Sequence, residues 1–149
     1  MRIITLLGGI IALLGAGCMA LPEGTRVVVT DTPEVWCVVR VNCYHAPTRT
    51  IVLVPGQSLK ALAHEGCHAH QHATVLAETG GEPSLDLHEW FTTAEAVQYA
   101  AVVAQAGPNE WGEHYTALLE DFAEACGRFL TDYSNEPGRA AFFEARGFK

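Results

Sequence analysis

His64-Glu65-Gly66-Cys67-His68 sets two imidazoles four residues apart, with a carboxylate directly after the first. On a helix, positions i and i+4 share one face, so both imidazoles can ligate a single metal ion while the carboxylate points towards water on that ion. This is the working core of a zinc hydrolase, and it requires a helix here. Five letters arise easily by chance, so the flanks have to support it. Pro55-Gly56 ends an apolar run, Ser58 is a suitable N-cap, and Leu59, Leu62, Ala63, Ala69, Ala73 and Leu76 supply apolar residues beside the histidine face. The expected helix covers 58–78 and stops at Thr79-Gly80-Gly81-Glu82-Pro83. Gly66 costs about 1 kcal/mol relative to alanine in a helix interior, so a close neighbour is expected against it. Neither His70 nor His72 is four residues from His64, and both read as a polar, exposed helix end.

Upstream, β-branched runs at 26–30, 35–41 and 49–54 alternate with turn residues and read as a small antiparallel meander. Downstream, helices are expected at 87–106, ended by Gly107-Pro108, then at 116–133, and at 137–146 with Phe142 and Phe143 as packing residues. Strands followed by segregated helices make an α+β domain.

The 149 residues suit one domain. Residues 1–20 carry Arg2, the apolar run 3–14 and Gly15-Ala16-Gly17 ahead of Cys18, the layout of a bacterial export signal. That leaves 21–149 as the folded unit. The small residues before Cys18 resemble a lipoprotein processing box, in which the cysteine is acylated, although Gly15 stands where an aliphatic residue is usual. Cleavage near Ala20, or an uncleaved anchor, are the alternatives. The chain is therefore expected to be exported, as an envelope lipoprotein or a secreted or periplasmic protein, meeting a membrane only through an N-terminal lipid. Without Cys18, four cysteines remain for an oxidising compartment. They allow three connectivities, among which sequence does not choose; Cys37 with Cys43 and Cys67 with Cys126 is the pairing expected. A cysteine-built zinc site would show paired C-x-x-C spacing, which is not present. The net charge of −8, with nine scattered basic residues, argues against a nucleic-acid partner.

A catalytic zinc normally has three protein ligands and an open position. Two glutamates compete to be the third. Glu95 lies in Thr92-Thr93-Ala94-Glu95, with Tyr99 one turn on; Glu120 lies in Leu119-Glu120-Asp121-Phe122-Ala123-Glu124. Glu124 shares a helical face with Glu120 and can accept a hydrogen bond from the far nitrogen of a zinc-bound histidine, which favours Glu120. The competing reading is a solvated acidic face, but Phe122, Ala123, Cys126 and Phe129 mark the helix as substantially buried.

His64-Glu65-x-x-His68 together with Glu120-Asp121-Phe122-Ala123-Glu124 resembles the gluzincin metallopeptidases, most closely the branch that includes the catalytic domain of anthrax lethal factor. The resemblance spans about residues 50–130. It implies a zincin-like domain, Zn(2+) held by His64, His68 and Glu120, Glu65 as general base, and hydrolysis of a peptide or protein substrate. It also implies a tyrosine hydroxyl at the oxyanion; Tyr115 is the matching candidate, though nearer to the glutamate than the family spacing, and packing is its other role. His88 and His114 are further polar candidates, and Trp90 and Trp111 are core or cleft wall. Two other classes stay open: a non-catalytic, zinc-stabilised envelope or scaffold domain, and a metal-free binding module.

Overall fold

The β-branched stretches at 26–29 and 50–53 are strands in a computed structural model of the chain, which describes residues 4–6, 20–37, 41–80, 87–107, 109, 111, 117–131 and 135–148. The strands are β1 (Ile4–Leu6), β2 (Arg26–Val29), β3 (Cys43–His45) and β4 (Thr50–Leu53), in the order β1-β2-β4-β3. β1, inside the segment read as an export signal, is an edge strand antiparallel to β2. β2 runs parallel to β4, with Val27 opposite Ile51, and β3 runs antiparallel to β4.

The sheet is therefore mixed, which corrects the antiparallel meander. Its second strand forms later than expected because Pro33, which has no N–H for a ladder, sets Pro33–Val35 into a 3-10 turn. Residues 38–40 of the expected strand lie outside the described residues. After β3 the chain reverses through Ala46–Thr48 and Arg49, whose φ of 48° is left-handed. This hairpin puts β3 on the outer side of β4 and leaves the inner side to β2.

Helix α1 (Leu59–Thr79) begins where the Ser58 hydroxyl accepts from the Ala61 N–H at 3.2 Å, and ends at Gly80 with φ 83°. The expected helix at 87–106 is broken at Thr93. Leu87–Thr92 is 3-10, and Thr93 caps α2 (Ala94–Ala106) by accepting from the Ala96 N–H. Helices α3 (Leu118–Leu130) and α4 (Pro137–Ala145) follow, the latter capped by the Glu136 carboxylate. Strands then helices, in one sequence, make this a small α+β domain.

Helix α1 lies between two apolar groups. Ala69 packs with Val27, Tyr44, Ile51 and Leu53 of the sheet, while Ala63, Cys67 and Val75 face the helical core. That core centres on Phe122, which meets Trp90, Tyr99 and Phe143 at centroid distances of 4.9, 5.0 and 5.2 Å in near edge-to-face contacts. Within it, the buried Arg139 guanidinium donates twice to Asp121 at 2.9 Å, and Tyr99 and Asn109 donate to the same carboxylate. One carboxylate thereby joins α2, α3 and α4.

Disulfides join Cys37 to Cys43 and Cys67 to Cys126, the pairing expected. Two such bonds are the mark of a non-reducing environment. Among the described residues no helix is long and apolar enough to cross a membrane.

Candidate metal centre

Helical periodicity carries His64 and His68 onto the face of α1 that meets α3, and there α3 presents Glu120. His64 Nε2 lies 3.4 Å from Glu120 Oε2, and His68 Nε2 lies 3.5 Å from Glu120 Oε1. One ligand atom from each of the three residues falls within 4.8 Å of the others, so the group can hold a metal ion. The donor set, two imidazoles and a carboxylate, is one that zinc accepts. Ligands about 2.0–2.1 Å from a common tetrahedral centre stand roughly 3.3–3.4 Å apart, and each histidine lies at about that distance from one of the two Glu120 oxygens.

Each histidine is held from behind. His64 Nδ1 lies 3.4 Å from Glu124 Oε2, and Glu124 is itself fixed by Lys60 and by the Arg128 Nε–H at 2.8 Å. His68 Nδ1 bonds at 2.8 Å to the Gln71 side-chain oxygen, and the Gln71 amide donates to the Leu119 carbonyl at 3.1 Å. Sequence reasoning finds Glu124 and misses Gln71. The signal was there, since Gln71 is one turn from His68 on the same face, but nothing in the sequence says that α3 offers a carbonyl opposite it.

Electrostatics follow from this crowding of carboxylates round two imidazoles. Burial works against the charged form of His64, but Glu120 and Glu124, aided by Glu65, outweigh it and lift its pKa to about 9. Burial pushes Glu120 and Glu124 up, yet their hydrogen-bonding and charged neighbours win. His64 and His68 hold Glu120 far below the usual carboxylate range, and His64, Lys60 and Arg128 bring Glu124 down to about 2. Glu65, 7 % exposed and directly beside the cluster, goes the other way. Burial raises it, with the histidines and the Tyr44 backbone N–H pulling back only in part. A raised carboxyl next to a pair of imidazoles that can hold a metal is suited to taking and returning a proton.

A cleft of about 240 Å³ opens beside these groups, lined by Val41, Asn42, Lys60, His64, Glu65 and Glu124 among others. Val41 and Asn42 lead directly into β3, which among the described residues pairs with β4 on one side only, so that edge of the sheet borders the cleft.

The competing glutamate is elsewhere. Glu95 binds His70 Nε2 at 2.9 Å, accepts from the Trp90 indole N–H at 3.0 Å and meets Thr74, so it serves to pin α2 to α1 and is not in the metal-capable group. The exposed helix end expected at His70 and His72 needs correcting for the same reason. His70 is in that contact, and His72 is buried, its Nδ1 at 2.9 Å from the Tyr44 hydroxyl. A close approach of α3 to α1 is found at Gly127, which faces the His64 backbone. Trp90 is core; Trp111 is half-buried, with the guanidinium groups of Arg128 and Arg139 at 4.9 and 5.4 Å from its ring. His88 is exposed against Phe91. Tyr115, His114 and Cys18 lie outside the described residues.

Comparison with family models, with characterised proteins and with solved structures finds no significant match for this chain.

Proposed function

We propose that this chain is an exported, zinc-dependent metallopeptidase of the gluzincin kind, with His64, His68 and Glu120 as its metal ligands and Glu65 as its general base. The observation that carries this reading is the gathering of one ligand atom each from His64, His68 and Glu120 within 4.8 Å of one another, with a buried carboxyl directly alongside. When bound, zinc supplies Lewis acidity that polarises a carbonyl and acidifies water. The residues do the rest. Glu65 takes the proton of the attacking water as the C–O bond forms and the carbonyl oxygen becomes an oxyanion, then delivers that proton to the amide nitrogen as the carbonyl re-forms and the C–N bond breaks. An extended substrate lies along the open edge of β3, where main-chain hydrogen bonds give affinity without reading sequence. Tyr115 is the proposed oxyanion donor. The apolar leader and the disulfides support export, with Cys18 as the proposed point of lipid attachment.

Zinc content of purified residues 21–149 and of its Glu120→Ala variant tests the site. One zinc per chain that is lost or much weakened in the variant is expected; zinc retained in full removes Glu120 as a ligand. Glu65→Gln then tests the chemistry. Zinc retained with hydrolysis of peptide libraries abolished is expected, and zinc bound by a wild type that cleaves nothing would favour the scaffold reading.

A further inference from the structure

We propose that Gln71 is the positioning residue of the metal site: a neutral amide that presets the tautomer of His68 and locks it to the helix carrying Glu120. The proposal rests on the zinc reading above.

Gln71 is fully buried between α1 and α3 and touches both ligand-bearing elements. A carbonyl oxygen can only accept, so the amide nitrogen must face Leu119 O, at 3.1 Å. The side-chain oxygen must then face His68 Nδ1, at 2.8 Å. That oxygen also only accepts, so the proton of His68 sits on Nδ1. When the ring is neutral, Nε2 is therefore the nitrogen left to take a metal, and it lies 3.5 Å from Glu120. Neither end of the amide can be reversed without setting two acceptors, or two donors, against each other.

The choice of an amide also follows from charge. Glu65, Glu120 and Glu124 already crowd the site, and Glu124 stands behind His64. A fourth carboxylate behind His68 would face the Leu119 carbonyl without a donor. Glutamine orients the ring and adds no charge. Because the carbonyl it binds belongs to the residue just before Glu120, the same side chain sets the ring of one ligand and the height of the other.

Two variants test this. Long-range nitrogen–proton NMR of the metal-free protein at mildly alkaline pH should show His68 as the Nδ1–H tautomer in the wild type and in Gln71→Glu, which keeps the acceptor, and as a mixture in Gln71→Leu. Chelator competition should show zinc affinity about 10–100-fold weaker in Gln71→Leu, the range expected for loss of a group that orients a metal-bound histidine. A purely structural role would not move the tautomer. An unchanged tautomer in Gln71→Leu, or zinc bound equally by Gln71→Leu and wild type, would overturn the proposal. A wild type that binds no zinc would instead sink the metal reading on which it rests.

Discussion

Gly127 of α3 faces the backbone of His64 on α1 so closely that a Cβ built at the glycine would stand 3.0 Å from the His64 nitrogen and 3.1 Å from its Cα. The absent side chain is what lets the helix bearing Glu120 and Glu124 approach the helix bearing both histidines. The atoms in the way are backbone, which cannot swing aside.

Gly127→Ala therefore pits two effects of opposite sign. Alanine gains about 1 kcal/mol in helix propensity, whereas overpacking against rigid backbone costs about 1–3 kcal/mol. Net destabilisation is expected in chemical denaturation, together with weaker zinc binding, because the helices can relieve the clash only by separating at the site. Unchanged zinc affinity would show that the approach does not set the ligand spacing.

Cys67 lies between the two histidines on α1, and Cys126 lies beyond Glu124 on α3. Their bridge spans 59 residues, against 6 for Cys37–Cys43. Loop-closure entropy assigns roughly 4 kcal/mol to the long bridge and roughly 2 kcal/mol to the short one. The Cys67→Ala/Cys126→Ala double variant should lose more stability than Cys37→Ala/Cys43→Ala, and it alone should lose zinc affinity. Equal losses in denaturation midpoints would contradict this.

The pH dependence of the metal-free protein has a definite sign. His64 binds its proton more tightly folded, at about 9, than its ordinary 6.5. Its contribution to stability is fully present below 6.5 and lost as pH rises towards 9. Glu124, lowered from 4.5 to about 2, contributes above 4.5 and ceases to as pH falls towards 2; Glu120 acts in the same direction. Glu65, raised by burial, opposes them on the acid side. Maximum stability is expected between about 4.5 and 6.5, read from melting temperatures across pH. Zinc binding must expel the His64 proton, so its apparent affinity should rise about tenfold per pH unit up to the His64 pKa. Calorimetry in buffers of different ionisation enthalpy counts that proton, and none released at neutral pH would refute the assignment.

Arg139 and Asp121 form a buried ion pair whose partners are both nearly inaccessible. Removing one member strands the other, at a cost of about 3–5 kcal/mol, whereas replacing both with apolar residues is far less costly. Arg139→Met should thus be severely destabilised, and Arg139→Met/Asp121→Leu should recover part of the loss. A double variant no more stable than the single one would mean that Tyr99 and Asn109 need the carboxylate as much as Arg139 does.

Much of the fold could be read from local chemistry. Ser58 and Gly80 bound α1 within a residue of expectation because a cap is decided by its own side chain and backbone. The break before α2 was missed because Thr93 serves as a cap only once Trp90 is drawn into the core, where its carbonyl meets the Thr93 hydroxyl. His72 was misjudged because nothing local says that Tyr44, on a distant strand, will place its hydroxyl beside the ring.

By itself, the sequence determined that His64 and His68 would share one face, that Glu124 would follow Glu120 by one turn, and that strands would precede helices. These are consequences of periodicity and capping, which act over a few residues. Tertiary structure alone decided that Glu120 and not Glu95 meets the histidines, that β2 lies parallel to β4, and that Gln71 joins His68 to the α3 backbone. Those outcomes depend on how closely α1 and α3 can approach, and that is set by Gly127, by the bridge from Cys67 to Cys126 and by the aromatic core around Phe122.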